Sequence, residues 1–496
     1  MHVRQFCRFV VLLLLTSTAV LAQTAAKKIA PRAQPARTSS EQNTSAYFES
    51  IRNQPSLLLD FLYRMPKGAD LHNHLSGAIY AENFIKWAVD DGLCINLPTS
   101  TFVSCDASGI LPRASTAYAD VNLYEQLLEA FSMRGWFPDH ESGHDHFFAT
   151  FGKFGAATNG HTADMLVEVR SRAARENLQY LELMFNPDNG QAAALGRKIG
   201  WTENLAKMRE QLLAQGLPEI VVNASHALDE IEAKEKEGMH CGQAQADPGC
   251  NVDARYLYQV ARGLPKEMVF AQILAGFEMA SKDPRVAGLN LVMAEDWYVP
   301  LHDFNLHMQM FDFLHGLYPK VHITLHAGEL TPTLATPEDF FHIRASVERG
   351  HGERIGHGVD VMLEQDPTAL LKEMAEKNIL VEVCLTSNDV ILSVSGARHP
   401  LPIYLKFGVP VALATDDAGV SRSSITLEYQ RAVETYHFSY PELKKIVRAS
   451  VEHSFLAAKE KSEMQQRLES AFAAFEKGFA GQGPGADRPP LKRKQP

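Results

Sequence analysis

Ala69-Asp70-Leu71-His72-Asn73-His74-Leu75-Ser76-Gly77 reads as a short strand that runs into a glycine turn. Side chains alternate between the two faces of a strand, so His72 and His74 point the same way. Two imidazoles that close can share one metal ion. Alone, an H-x-H pair is no more than two polar residues at a strand end. Three later stretches give it company: His326-Ala327-Gly328-Glu329, Arg354-Ile355-Gly356-His357-Gly358 and Thr415-Asp416-Asp417. Each follows an apolar, β-branched run and sets ionisable groups at its end. Four such strand ends in one chain describe the top of a parallel α/β barrel of the TIM type.

The rest of the chain supports that architecture. Strands are predicted at 69–75, 178–185, 219–224, 286–292, 321–325, 354–358, 380–385 and 409–414, and helical patterns separate them. Strands alternating with helices imply parallel βα units, and eight of them imply a closed (β/α)8 barrel. A helix is predicted over 45–63 ahead of the first strand, and further helices over 426–479 pack outside. The barrel domain then spans 44–480, with insertions near 91–160 and 236–252. Residues 481–496 are rich in Pro, Gly and basic residues and read as a disordered tail.

Composition narrows the partners. A net charge of −11 and a pI near 6.0 argue against nucleic acid and anionic membrane. Arg4 and Arg8 precede the apolar run 9–15, and Val20-Leu21-Ala22 offers a small-residue cleavage site, so 1–22 reads as a secretory signal peptide. That run is too short to span a membrane. The mature chain is expected to be free of the membrane, and secreted or periplasmic. Residues 23–43, rich in Ala, Gln, Thr and Lys, read as a flexible leader. In an oxidising compartment, Cys94 with Cys105 and Cys241 with Cys250 are close enough in sequence to form two local disulfides. Cys384, inside an apolar run, reads as a buried free thiol.

His72, His74, His326 and Asp416 together make a His₃Asp set, a nitrogen and oxygen donor group that suits one zinc ion with a position left open for water. Zinc lowers the pKa of such a water from about 15.7 to about 7, which gives a hydroxide nucleophile near neutrality. Glu329 stands three residues after His326, placed as an acid/base group rather than a ligand. His357 and Asp417 would flank the nucleophile and the substrate.

With Leu385-Thr386-Ser387-Asn388 added, the ordered set of motifs resembles the adenosine deaminase family of zinc amidohydrolases over roughly residues 65–440. The signal peptide, the Met65-Pro66-Lys67-Gly68 lead-in and the long first insertion resemble its secreted, growth-factor-related branch. The resemblance implies hydrolytic deamination of adenosine or 2′-deoxyadenosine to the inosine form plus ammonia. It makes His72, His74, His326 and Asp416 the zinc ligands and Glu329 the residue that protonates the purine ring and shuttles the proton. His357 would orient the hydroxide, and Asp417 would bond the purine's five-membered ring. His74, Ser76 and Met293 would contact the substrate with Asp417, Ser76 at the position where the family binds the ribose. Dimerisation through the helix at 45–63 is also implied.

Two positions depart from the family pattern. Many members carry an acidic residue where Ser76 stands, and a glycine after the fourth strand where Met293 stands. These departures open the alternative of another 6-aminopurine: adenine, AMP or a modified adenosine. A secreted nucleoside-binding protein with a dead site is disfavoured because no ligand is lost and Glu329 is kept. The H-x-E and P-C-x-x-C signature of the other zinc deaminases is absent beyond a chance His351-Gly352-Glu353.

Overall fold

The computed structural model describes residues 38–106, 109–138 and 141–479. The segments read as signal peptide and tail, and most of the one read as leader, lie outside them. Ten strands occur among the described residues: β1 Gly68–His74, β2 Cys94–Asn96, β3 Thr101–Val103, β4 Leu178–Phe185, β5 Asp253–Ala261, β6 Val286–Val292, β7 His322–Ala327, β8 Arg354–His357, β9 Leu380–Val383 and β10 Val411–Leu413. β2 and β3 form a small antiparallel hairpin, and the other eight form one parallel sheet in the order β1-β4-β5-β6-β7-β8-β9-β10. The ring closes through a parallel bridge between Asn73 and Asp416. Two backbone bonds lie beside it: His74 N–H to the Asp416 carbonyl at 3.2 Å and Asp416 N–H to the His72 carbonyl at 2.9 Å. The predicted (β/α)8 barrel is therefore the observed fold.

The strands are apolar and almost wholly buried because parallel barrel strands are covered on both faces. The helices ring them with one apolar face each. Tyr440–Glu452 shows how: Ser439 and Glu442 form a capping box at its start, and Leu443, Val447 and Val451 pack without exposure. It lies against β1 and β10, across the seam of the barrel. Each such aliphatic side chain contributes about 1.5–3 kcal/mol by leaving water.

The structure corrects several expectations. The third barrel strand is β5, not 219–224, which lies inside the helix Leu217–Gly238. The β-branched run Ile220-Val221-Val222 looks like a strand. Pro218 in the first turn and the sequence rich in Ala, Glu and Lys that follows favour a helix. The second cysteine pair therefore precedes the third strand rather than following it. The helix expected over 45–63 is two, Ser39–Ile51 and Pro55–Arg64, because Pro55 starts a new one; residues 39–43 are helical rather than leader. The seventh barrel strand stops at Val383, and Leu385–Leu392 is helical.

The long connection from β1 to β4 holds the β2–β3 hairpin and the helices Ala81–Asp90, Val121–Ala130, Gly143–Phe154 and Thr162–Arg175. Cys94 is joined to Cys105 and Cys241 to Cys250, and Cys384 is free and buried. No helix among the described residues is long and apolar enough to cross a membrane.

Candidate active site

β1 ends by presenting His72 and His74 on one face, as the alternation requires, and His326 stands near the end of β7. Each imidazole is fixed from behind. His72 Nδ1 lies 2.6 Å from Glu382 Oε2, His74 Nδ1 3.3 Å from Gln259 Oε1, and His326 Nδ1 2.9 Å from Asn290 Oδ1. Asn290 Oδ1 also accepts the His326 backbone N–H at 2.9 Å, which identifies it as the oxygen. All three Nδ1 atoms therefore face acceptors and carry the ring proton.

The three Nε2 lone pairs then point at one another. His72 Nε2 and His74 Nε2 lie 3.0 Å and 3.2 Å from His326 Nε2. Asp416 Oδ1 lies 3.4 Å and 3.2 Å from the Nε2 atoms of His72 and His74, and it is buried without a hydrogen-bond partner. Four convergent donors, with every ring proton committed elsewhere, repel each other unless a cation sits among them. The donor set thus fits a metal ion: its four ligand atoms lie within 4.8 Å of one another.

The H-A-G-E loop is held by a second buried group. Glu295 accepts the backbone N–H groups of Gly328 at 3.0 Å and Glu329 at 2.8 Å, and its other contacts are His342 Nδ1 at 2.5 Å and Arg262 Nη2 at 3.8 Å. Arg262 in turn donates to the His326 carbonyl at 2.9 Å and the Met293 carbonyl at 3.1 Å. Glu329 itself is buried, with Oε1 unpartnered. Burial first, then the Asp416 and Glu295 carboxylates, hold its carboxyl well above the usual range.

His357 closes β8, and burial holds it neutral by pushing its pKa down to about 3. Its Nε2 is buried, has no hydrogen-bond partner and lies 4.0 Å from Asp416 Oδ2. Burial instead raises the Asp417 carboxyl, which rests on Gly77: a Cβ there would sit 1.5 Å from Asp417 Oδ1. Gly77 is therefore required by a close approach rather than by its φ angle. Met293, His357 and Asp416 have φ of 85°, 66° and 55°, left-handed values that cost a side chain about 1–3 kcal/mol each and concentrate at functional sites.

These groups face a cavity of about 250 Å³ at the carboxyl ends of the strands. His74, Ser76, Met293, His326, Glu329, His357, Asp416 and Asp417 all line it, and His72 lies just beneath, fully buried. All the site residues singled out in the sequence are thus brought together. Phe147, Phe148 and Phe151, from the helix Gly143–Phe154, form an aromatic wall, and Trp297 stands beside Met293. Among the described residues, no Lys or Arg lines the cavity. Sequence reading missed the orienting residues Gln259, Asn290, Glu295 and Glu382. A signal existed for Asn290 and Glu382, each a polar residue inside an otherwise apolar strand, where burial demands a partner.

The adenosine deaminase family model matches residues 115–471. A probable adenosine deaminase from Dictyostelium discoideum is 23% identical over 407 residues, which is 82% of this chain but only 42% of that relative's length. Among solved structures, the N6-methyl-AMP deaminase of Arabidopsis thaliana superposes with a TM-score of 0.55 at 21% identity, covering 84% of this chain and 99% of that one. The adenine deaminase of Arthrobacter aurescens gives 0.53 at 18% identity, covering 82% and 99%. The two structures share the fold, and the family match extends over most of the chain. This chain belongs to the adenosine deaminase family.

Proposed function

We propose that this protein is a zinc-dependent deaminase of 6-aminopurine nucleosides, adenosine and 2′-deoxyadenosine first, releasing the inosine form and ammonia. The observation that carries the reading is the convergence of the four donors His72, His74, His326 and Asp416 beside a buried Glu329 whose Oε1 has no hydrogen-bond partner. His72, His74, His326 and Asp416 would hold one zinc ion per chain. When bound, it supplies the Lewis acidity that brings the pKa of a water from about 15.7 to about 7. Glu329 gives its proton to the purine ring nitrogen next to C6 as the water oxygen bonds to that carbon. It then takes the two protons of the attacking water in turn, passing one to the departing amine and keeping the other, which returns it to its starting state. His357 Nε2 holds the attacking oxygen. Asp417 hydrogen-bonds the five-membered ring and fixes the purine plane. The aromatic wall excludes water from the reacting face.

The cavity favours nucleosides over nucleotides. A phosphate needs Arg or Lys at the pocket mouth. The basic residues near the strand-end motifs are committed elsewhere, Arg262 to the His326 and Met293 carbonyls. Lys67 is buried and donates to the carbonyls of Met65 at 3.0 Å and Glu176 at 2.7 Å. Arg354 lies inside the barrel, bonded to Glu182 and Glu382. A second reading, another 6-aminopurine, is favoured by Met293 and Ser76, which reshape the purine and sugar ends of the cavity. Residues 1–22 and the two disulfides support export, to the periplasm or the medium, as part of the proposal. Dimerisation stands as an expectation of the family resemblance.

Purified protein should contain one zinc per chain, and His74→Ala should lose it; metal analysis checks both. An ultraviolet assay of adenosine, deoxyadenosine, adenine, AMP and N6-modified adenosines then decides the substrate. Turnover of adenosine and deoxyadenosine is expected. Turnover of AMP alone, or of no 6-aminopurine by zinc-loaded protein, overturns the reading.

A further inference from the structure

His357 can hold an attacking oxygen through Nε2 only if the ring proton is on Nε2. An imidazole does not choose its own tautomer; the partner of the other nitrogen does. The chain of bonds behind His357 begins at a group that can only donate. The Leu401 backbone N–H points at His399 Nδ1 at 3.1 Å, so that nitrogen is the acceptor and His399 carries its proton on Nε2. His399 Nε2 lies 3.1 Å from Asn388 Oδ1, so the amide oxygen takes that proton and the amide NH₂ must face the other way. It faces His357 Nδ1 at 2.9 Å. His357 Nδ1 is thereby an acceptor, and its proton stands on Nε2, aimed into the cavity.

All three side chains are sealed from water: Asn388 is 0%, His357 1% and His399 2% exposed. Burial alone pushes His399 down to about 4, so it is neutral and its Nδ1 is free to accept. Glu329 Oε1 also faces His357 Nδ1, at 3.5 Å, too far to compete with a bond of 2.9 Å.

We propose that Asn388 and His399 are positioning residues that lock His357 as its Nε2–H tautomer, through a relay anchored on the Leu401 backbone. The inference rests on the deaminase reading for what the Nε2–H does, but the tautomer itself does not depend on that reading. The relay also gives the Asn of the Leu-Thr-Ser-Asn motif and the His of His399-Pro400 a shared reason to stand where they do.

The test uses the zinc-loaded full chain labelled with ¹⁵N histidine. Long-range ¹⁵N–¹H correlation distinguishes the two neutral tautomers, and His399→Gln and His357→Gln assign the signals. His357 is expected as Nε2–H. The variant Asn388→Asp has nearly the same shape, but its carboxylate accepts from both neighbours. It should move the His357 proton to Nδ1 and lower kcat by about 10²- to 10⁴-fold, in the range that a wrong tautomer costs a catalytic histidine, with KM within about twofold. His399→Gln, which keeps an N–H for Asn388, should lose far less. An Nδ1–H signal for His357 in the unmodified holoenzyme overturns the proposal, and that measurement decides even if Asn388→Asp does not fold. So does an Asn388→Asp enzyme whose kcat is unchanged. An Nε2–H His357 in a protein that deaminates no 6-aminopurine leaves the relay standing and removes the deaminase reading.

Discussion

Glu329→Gln is expected to keep the fold and the zinc and to lose turnover by about 10³-fold or more. The substitution keeps size and hydrogen-bonding shape. It removes the group placed to give and take a proton beside the reacting carbon, a contribution of roughly 10²–10⁴ for a positioned acid/base group. Glu329 is not within the ligand set, whose four atoms come from His72, His74, His326 and Asp416. Its backbone N–H is held by Glu295 whatever the side chain is. Metal analysis and kcat measured on the same preparation separate the two effects. Full zinc and near-normal kcat in the Glu329→Gln variant would remove Glu329 from the mechanism.

Arg354→Met is expected to cost about 3–5 kcal/mol of stability, read as a lowered denaturation midpoint in urea. Arg354 is fully buried, 2.5 Å from Glu182 and 2.6 Å from Glu382, with its guanidinium 3.7 Å from the Phe455 ring centre. The methionine leaves two carboxylates uncompensated in the barrel interior. The second of them holds His72, so zinc affinity should fall as well, by about 10- to 100-fold, the usual loss when a ligand's support is disturbed. Lys86→Met is the control: its exposed pair with Asp90 should change stability by well under about 1 kcal/mol. Equal effects of the two substitutions would mean that the interior network contributes nothing.

The parts of this molecule that sequence reveals best are those that act locally. H-x-H, H-A-G-E and T-D-D each sit where a strand stops, and the period of a strand is enough to say which side chains share a face. The fold followed from counting such endings. The error at 219–224 came from the same kind of evidence. A short β-branched run satisfies a strand pattern, while the helix that owns it is decided by the polar sequence that follows as far as Gly238. β5 was hidden because Asp253, Ala254 and Arg255 at its start look like the end of an insertion. The supporting residues were hidden for another reason. Glu382 supports His72 from 310 positions away and Asn290 supports His326 from 36, and no local pattern pairs them. The relay through Asn388 and His399 needs a backbone N–H at Leu401 to give it direction, which only coordinates supply.

The barrel's seam also sets the order of events as the protein is made. The backbone bonds that join β1 to the segment after β10 run through His72, His74 and Asp416, the same residues that supply three of the four metal donors. His72 and His74 are among the earlier residues of the barrel to be synthesised, and Asp416 follows the last strand. At ~5–20 residues per second, tens of seconds separate the two on the ribosome. The complete donor set therefore exists only where the two ends of the barrel have met. A metal ion held by that set would therefore act as a clasp on the long stretch of chain between the two halves of the seam.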